Sequence, residues 1–427
     1  MAPGFRFLAS ANKEPSRLYH GTFQAFYGFE VGASLLVPEK WIADHLSNFE
    51  GGYCLRSGRY RRRRHRAFTA YYLTEAGVET VLLDKRGIGQ GSTSANTALL
   101  FYELDIPLSR LVETLGVHKA LRSYQLGLEA IDTIEKLVDR LGDSCGFERK
   151  KSLYLASRKS DVLDLKREYE VRRRLGFRLD YLEGFEIEKL FSIRRPAALL
   201  SYDAAQIDPY RLTHKLVEKA SGQGLRVFDA TEVIRFRHKN KELVLTTKRG
   251  HRIKTRRLVF AAGYESQQYL KEKVVTLKST FAVASQPLDA SPVAAQLCLI
   301  WETARPYIYM RTTSDRRVML GGEDESFVNP DKRDRLTQRK GRRLLDKFRH
   351  LFPTTDLEIG YSWAGTFGET EDGLAYVGET KQFPNAYFAL SYGANGTTYS
   401  LVAAEIIRDL YLGRSNKDAA IFSFDDR

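Results

Sequence analysis

The chain is poor in cysteine, methionine and tryptophan, with three of each in 427 residues. Cys54, Cys145 and Cys298 are odd in number and far apart. They build neither a disulfide framework nor a metal-ligand cluster, so no metal site is expected and the usage suits a reducing cytoplasm. No stretch reaches the ~18 consecutive apolar residues of a membrane span, so no membrane partner is expected. Met1–Ser10 carries one charge and no sustained apolar block, which excludes a signal peptide from the reading. Low-complexity tracts and internal repeats are also missing. What is left is a folded chain long enough for one large α/β unit or for two domains sharing segments.

Positive charge is not scarce, and it is unevenly placed. Residues 1–68 hold 11 Lys/Arg against 5 Asp/Glu, and much of that excess sits in the run Arg56–Arg66. A run of this kind is a solvated patch or a nucleic-acid contact. Elsewhere the chain is only mildly basic, as suits a protein handling anionic cofactors or substrates, and nucleic acid is not the expected partner.

From Thr69 the pattern is orderly. Thr69–Gly77 reads as the end of a helix stopped by glycine. Val78–Asp84 (VETVLLD) reads as a buried parallel strand ending in an acid, followed by the loop GIGQGSTSANT and one long helix over 108–141. A strand is expected at 151–156 and a charged helix at 160–175. Asp208 and Pro209 open another helix as cap and first turn. Further strands fall at 225–228, 232–238, 242–247 and 252–261, then an antiparallel region at 276–322 with a turn at Ser314-Asp315. Helices at 331–350 and 397–413 complete the series. The fold class is α/β, a doubly wound sheet with an antiparallel, β-rich layer inserted.

An acid at the tip of the second strand of a dinucleotide-binding βαβ unit accepts hydrogen bonds from the ribose hydroxyls, about twenty residues after a glycine-rich turn. Asp84 has that position; an Asp ending a strand is also an ordinary turn or cap residue. Where the turn belongs, the sequence instead reads YRRRRHRAFTAYYL. A buried strand cannot be made of unpaired charges. Arginine codons of the CGN type, read one base later, become glycine, alanine, valine or aspartate codons. The shifted frame can spell V-V-I-G-G-G-V-I-G-L-S over 58–68, with its last glycine 18 positions before Asp84. Residues 1–68 are therefore read as an aberrant segment in which a frame disruption has replaced the phosphate turn.

With that turn set aside, the segments from 69 to 427 resemble the FAD-dependent D-amino-acid oxidase and glycine oxidase family. Asp84, with Lys85 behind it, matches the ribose-binding acid. Gly91-Ser92-Thr93-Ser94-Ala95 resembles the hydroxylated segment along the FAD pyrophosphate, though such a loop alone is also an ordinary loop. Ala230-Thr231-Glu232-Val233 resembles the strand that meets adenine, and Val259–Gly263, with Ala262 and Gly263 at its end, the small-residue turn beside the cofactor. Asp372–Gly378 resembles D-G-L-P-x-I-G, departing at Ala375. Gly393, Asn395, Gly396 and Thr397 open the final helix, whose N-terminus faces the flavin pyrimidine.

The resemblance implies a Rossmann-like FAD-binding domain (69–145, 200–275, 355–427) and an inserted substrate domain (146–199, 276–354). It implies oxidation of a small-molecule amine or amino acid by hydride transfer to flavin. Tyr307, Tyr309 and Arg311 alternate onto one strand face, where the family's arginine clamps a substrate carboxylate; a solvated strand arginine is the plainer reading. No catalytic side-chain base is assigned. The competing readings are an inactive frame-disrupted product of this fold, a basic nucleic-acid-binding protein and a nicotinamide-dependent dehydrogenase.

Overall fold

A four-residue strand with no polar face must be covered on both sides. Thr80–Leu83 is such a strand: Val81 and Leu83 enter one apolar cluster and Leu82 the other. The computed structural model describes residues 35–38, 64–239, 242–289, 297–390, 393 and 395–425. Within them Thr80–Leu83 belongs to a six-stranded sheet ordered Tyr376–Glu379, Ala386–Leu390, Leu258–Phe260, Leu35–Pro38, Thr80–Leu83, Arg226–Phe228. The Leu82 face is covered by helices Arg64–Glu75, Val117–Leu141, Pro209–Ser221 and Gly396–Tyr411. The Val81 face packs on a three-stranded antiparallel meander over Val233–Lys239, Glu242–Thr247 and Arg252–Thr255.

A second, nine-stranded sheet carries the β-rich layer. Its strands include Glu148–Leu155, Ala197–Gln206, Thr276–Ser285, Cys298–Glu302, Ile308–Thr312, Val318–Glu325 and Ile359–Glu369. One face buries Phe281, Ile300, Met310 and Leu320 against Leu344 and Phe348 of helix Pro330–Leu351. The two-layer α/β class expected from the pattern is the observed one.

The structure corrects three expectations. The helix expected over 108–141 is two helices, Leu108–Leu115 and Val117–Leu141, because Gly116 takes φ 79° between them. The domain boundary expected at 199/200 falls inside strand Ala197–Gln206, which pairs with Glu148–Leu155 and so belongs to the large sheet. Strand Ile359–Glu369 likewise pairs along Thr276–Ser285, so 359–369 join the large sheet and not the first one.

At the N-terminal side, strand Leu35–Pro38 runs antiparallel to both neighbours, Leu258–Phe260 and Thr80–Leu83. A phosphate-binding βαβ unit needs parallel strands joined through a tight turn. Helix Arg64–Glu75 is the next described element, and the expectation for 1–68 falls mostly on residues outside the described ones. Positions 58–63 lie outside the described residues.

Among the described residues the largest fully buried side chain is Arg172, set between the Tyr102 and Tyr124 rings. Its Nε donates to Glu168 at 2.6 Å, and its guanidinium lies 3.4 Å from Glu103. Glu168 also accepts the Leu108 and Ser109 amides, which anchors the start of helix Leu108–Leu115. Burial acts to raise the Glu168 pKa, but the Arg172 charge and the Ser109 amide outweigh it and hold it below the ordinary value. Arg172→Met strands two buried carboxylates and is expected to cost about 3–5 kcal/mol. Urea denaturation followed by circular dichroism measures this; an unchanged midpoint contradicts it.

Candidate functional site

The wall of the site begins with two glycines. In strand Val318–Glu325, a Cβ on Gly321 would lie 2.2 Å from the Tyr309 ring, and one on Gly322 would lie 2.2 Å from the Tyr307 carbonyl. Gly322 also takes φ 134°, which side chains rarely adopt. The missing side chains leave room for the Tyr309 ring at Gly321 and for the Tyr307–Ile308 backbone at Gly322. The chain then continues into Glu323, held at φ 57° and braced by Lys340 and Lys347, and so delivers Asp324.

Tyr307, Tyr309 and Asp324 line a cleft between the large sheet and the loops at the strand ends of the six-stranded sheet. Across from them stand Ser92, Asn96, Asp105 and Gly393. The Tyr307 hydroxyl donates to Asp105 Oδ1 at 2.9 Å. Burial raises the Tyr307 pKa well above its ordinary value, so it stays a donor. Gly393, at φ 72°, sits against the same carboxylate: a Cβ there would meet Asp105 Oδ2 at 3.0 Å. Asn395, buried at the start of helix Gly396–Tyr411, donates to the carbonyls of Phe101 and Glu103 at 2.9 and 2.8 Å. This fixes the helix N-terminus beside the cleft.

Asp324 Oδ1 is buried and accepts no hydrogen bond among the described residues. Burial pushes its pKa up to about 6, and the charges of Glu369 and Asp105 push the same way against the Thr280 hydroxyl. Two cations line the same cleft, and each is engaged. Arg86 donates to Glu265 at 3.0 Å, while Arg333 pairs with Asp334 at 2.8 Å and donates to Thr366 at 3.1 Å.

Of the residues expected from sequence, Ser92, Tyr307, Tyr309 and Gly393 line the cleft. Asp84 is fully buried at the end of Thr80–Leu83; its Oδ1 accepts the Arg86 amide and its carbonyl accepts the Thr231 amide. Lys85, expected at the cofactor, is spent on Glu265 at 3.0 Å. Thr93 is buried and Ser94 turns back to the Gly91 carbonyl. Val233, Thr397 and Ala262 are buried, and Gly263 follows strand Leu258–Phe260 at φ 60° with open space where a Cβ would stand.

Arg311 is not among the residues that line the cleft. Its Nε donates to the Thr97 carbonyl at 2.5 Å and Nη1 to the Thr312 carbonyl at 3.2 Å. Burial lowers its pKa to about 10, against the charges of Asp208, Asp315 and Glu148. Asp105, Asp324, Thr280, Trp301 and Arg333 were missed. The paired Gly321-Gly322 opposite two tyrosines was the one signal that could have led to Asp324.

A family model described as FAD dependent oxidoreductase, DAO, matches residues 67–410. The chain belongs to the DAO family of FAD-dependent oxidoreductases. It is 26% identical over 352 residues to glycine oxidase of Geobacillus kaustophilus (strain HTA426), covering 81% of this chain and 89% of that one. It is 25% identical over 366 residues to gamma-glutamylputrescine oxidoreductase of Escherichia coli (strain K12), covering 82% of each. The crystal structure of glycine oxidase from Geobacillus kaustophilus superposes with a TM-score of 0.71 at 21% identity, over 86% of this chain and 97% of that chain. The match favours flavin over the nicotinamide alternative. Among the described residues no helix is long and apolar enough to cross a membrane, and no group of three ligating side chains could hold a metal ion.

Donor chemistry fits FAD at its flavin end, where Gly393, the Ser92 loop and the amide end of a 16-residue helix meet. The segment expected to approach the pyrophosphate, 58–63, lies outside the described residues.

The raised Asp324 pKa also bears on stability. The folded chain holds this proton more tightly than the unfolded chain, so stability falls as pH rises from 3.8 to about 6. Above that window the buried charge costs about 3 kcal/mol. Asp324→Asn is therefore expected to raise Tm at slightly alkaline pH and to leave it unchanged at pH about 4. Equal melting temperatures of the two proteins at both pH values contradict this.

Proposed function

We propose that this chain oxidises a small amine or amino acid at the cleft between the two sheets. The observation that carries the reading is that the tyrosine-lined cleft opens directly onto Gly393 and the N-terminus of helix Gly396–Tyr411. Both relatives named above are oxidoreductases of amine-bearing compounds by their names. When bound, FAD accepts a hydride from the carbon that bears the amine, leaving an imine that water hydrolyses.

The chain's own residues hold, orient and shield. We assign Asp84, Val233, Ala262 and Gly263 to the adenosine side, and Ser92, Thr93 and Ser94 to the diphosphate and ribityl side. Gly393, Asn395, Gly396 and Thr397 are assigned to the flavin ring, where the helix dipole favours negative charge. Tyr307 and Tyr309 form the apolar substrate wall, and Trp301, stacked at 3.8 Å on Tyr154, closes its end. Cys145 and Cys298 are buried, and burial pushes both thiols up to about 12, which suits the cytoplasmic placement we favour.

Flavin loading separates the active reading from the inactive one. The protein as it stands and a variant carrying Val-Val-Ile-Gly-Gly-Gly-Val-Ile-Gly-Leu-Ser over 58–68 are purified, incubated with FAD and gel-filtered. The variant is expected to retain near-stoichiometric flavin and the present chain far less. Equal flavin in the two shows that the arginine run does no harm. Anaerobic addition of amines and amino acids to the loaded protein is expected to bleach the oxidised flavin band. A fully loaded protein that no amine or amino acid bleaches overturns the proposal.

A further inference from the structure

We infer that the substrate is a cationic amine without a carboxylate, and that Asp324 is the group that selects it. The inference rests on the amine-oxidation reading and sharpens it.

The first ground is where the strand arginine points. A carboxylate clamp needs a guanidinium with free donors facing the substrate. Arg311 lies on the same strand as Tyr309, yet it does not line the cleft, and its Nε and Nη1 donate to the carbonyls of Thr97 and Thr312, with Gln206 Oε1 3.5 Å from Nη1. It supports the backbone at Thr97, a cleft-lining residue, and is a positioning residue. The other two candidates, Arg86 and Arg333, are taken up by Glu265 and Asp334.

The second ground is the charge that does face the cleft. Asp105 and Asp324 both line it, and Asp324 Oδ1 is buried with no hydrogen bond of its own among the described residues. A buried carboxylate oxygen left without a donor is unfavourable until a donor arrives. An alkylammonium supplies both the donors and the opposite charge. A carboxylate on the same carbon would be brought against two acids and repelled. The aromatic wall of Tyr307, Tyr309 and Trp301 accommodates an alkyl chain behind the ammonium. Because Asp105 is already bonded to the Tyr307 hydroxyl at 2.9 Å, Asp324 is the group whose replacement matters most for recognition.

The matched probes are n-pentylamine and norleucine, which differ only by a carboxylate on the amine-bearing carbon. Whichever of the two proteins above retains flavin is tested with both by anaerobic flavin reduction, and pentylammonium binding to the same protein, reduced with dithionite, is measured by calorimetry. Pentylamine is expected to be the better reductant. Asp324→Asn is expected to weaken pentylammonium binding and raise its KM about tenfold or more, with kcat little changed, and Asp324→Glu to recover part of the loss. Arg311→Leu is expected to leave the preference for pentylamine over norleucine where it was. A preference for norleucine that Arg311→Leu abolishes, or pentylammonium binding that Asp324→Asn leaves untouched, overturns the inference. If neither compound bleaches the flavin but pentylammonium still binds through Asp324, the oxidation reading fails and the recognition survives.

Discussion

The hydrogen bond between Tyr307 and Asp105 joins the two halves of this molecule at the place where they must act together. On one side is a strand of the large sheet, and on the other the loop that lies against Gly393 and leads back to the strand ends of the first sheet. Its geometry depends on residues that have no side chain to offer: Gly321 leaves room for the Tyr309 ring, Gly322 for the Tyr307 backbone and Gly393 for the carboxylate. Asn395 completes the joint by tying the final helix to the carbonyls of Phe101 and Glu103. The cleft is what remains between these fixed points.

The same loop connects the cleft to the buried charges. Glu103 gives its carbonyl to Asn395 and its carboxylate to Arg172, which in turn holds Glu168 and the first turn of helix Leu108–Leu115. Groups so thoroughly desolvated have one low-energy arrangement, because each alternative leaves a charge unpaired. The price of that network is met by rigidity: the floor of the cleft is positioned by electrostatics, while its walls are positioned by apolar packing.

Much of this was legible in the sequence, and the limits have physical causes. Strands and helices with a regular apolar period were found close to where they lie, as were the stop at Gly77 and the cap at Asp208, which accepts the Tyr210 and Arg211 amides. The break at Gly116 was hidden because the apolar spacing carries on across it, and only the sign of φ reveals the turn. Asp105 and Asp324 were invisible because a lone acid in a loop or near the end of a strand looks like a surface residue until its neighbours are known. Arg311 shows the opposite limit. Alternation placed it on the tyrosine face, but the group it bonds, the Thr97 carbonyl, is 214 positions away in sequence. Pattern settles which face a side chain leaves from and says nothing about which partner it reaches.

The claim that binds these points together is that the acids in this cleft meet the substrate and the arginine does not. The most direct measurement is a crystal structure of the FAD-loaded, reduced protein with n-pentylamine bound. The expected result is an ammonium within hydrogen-bond distance of Asp324, with the alkyl chain against Tyr307 and Tyr309 and Arg311 still on the Thr97 carbonyl. An amine held away from both Asp324 and Asp105, or Arg311 swung off Thr97 into the cleft, contradicts it.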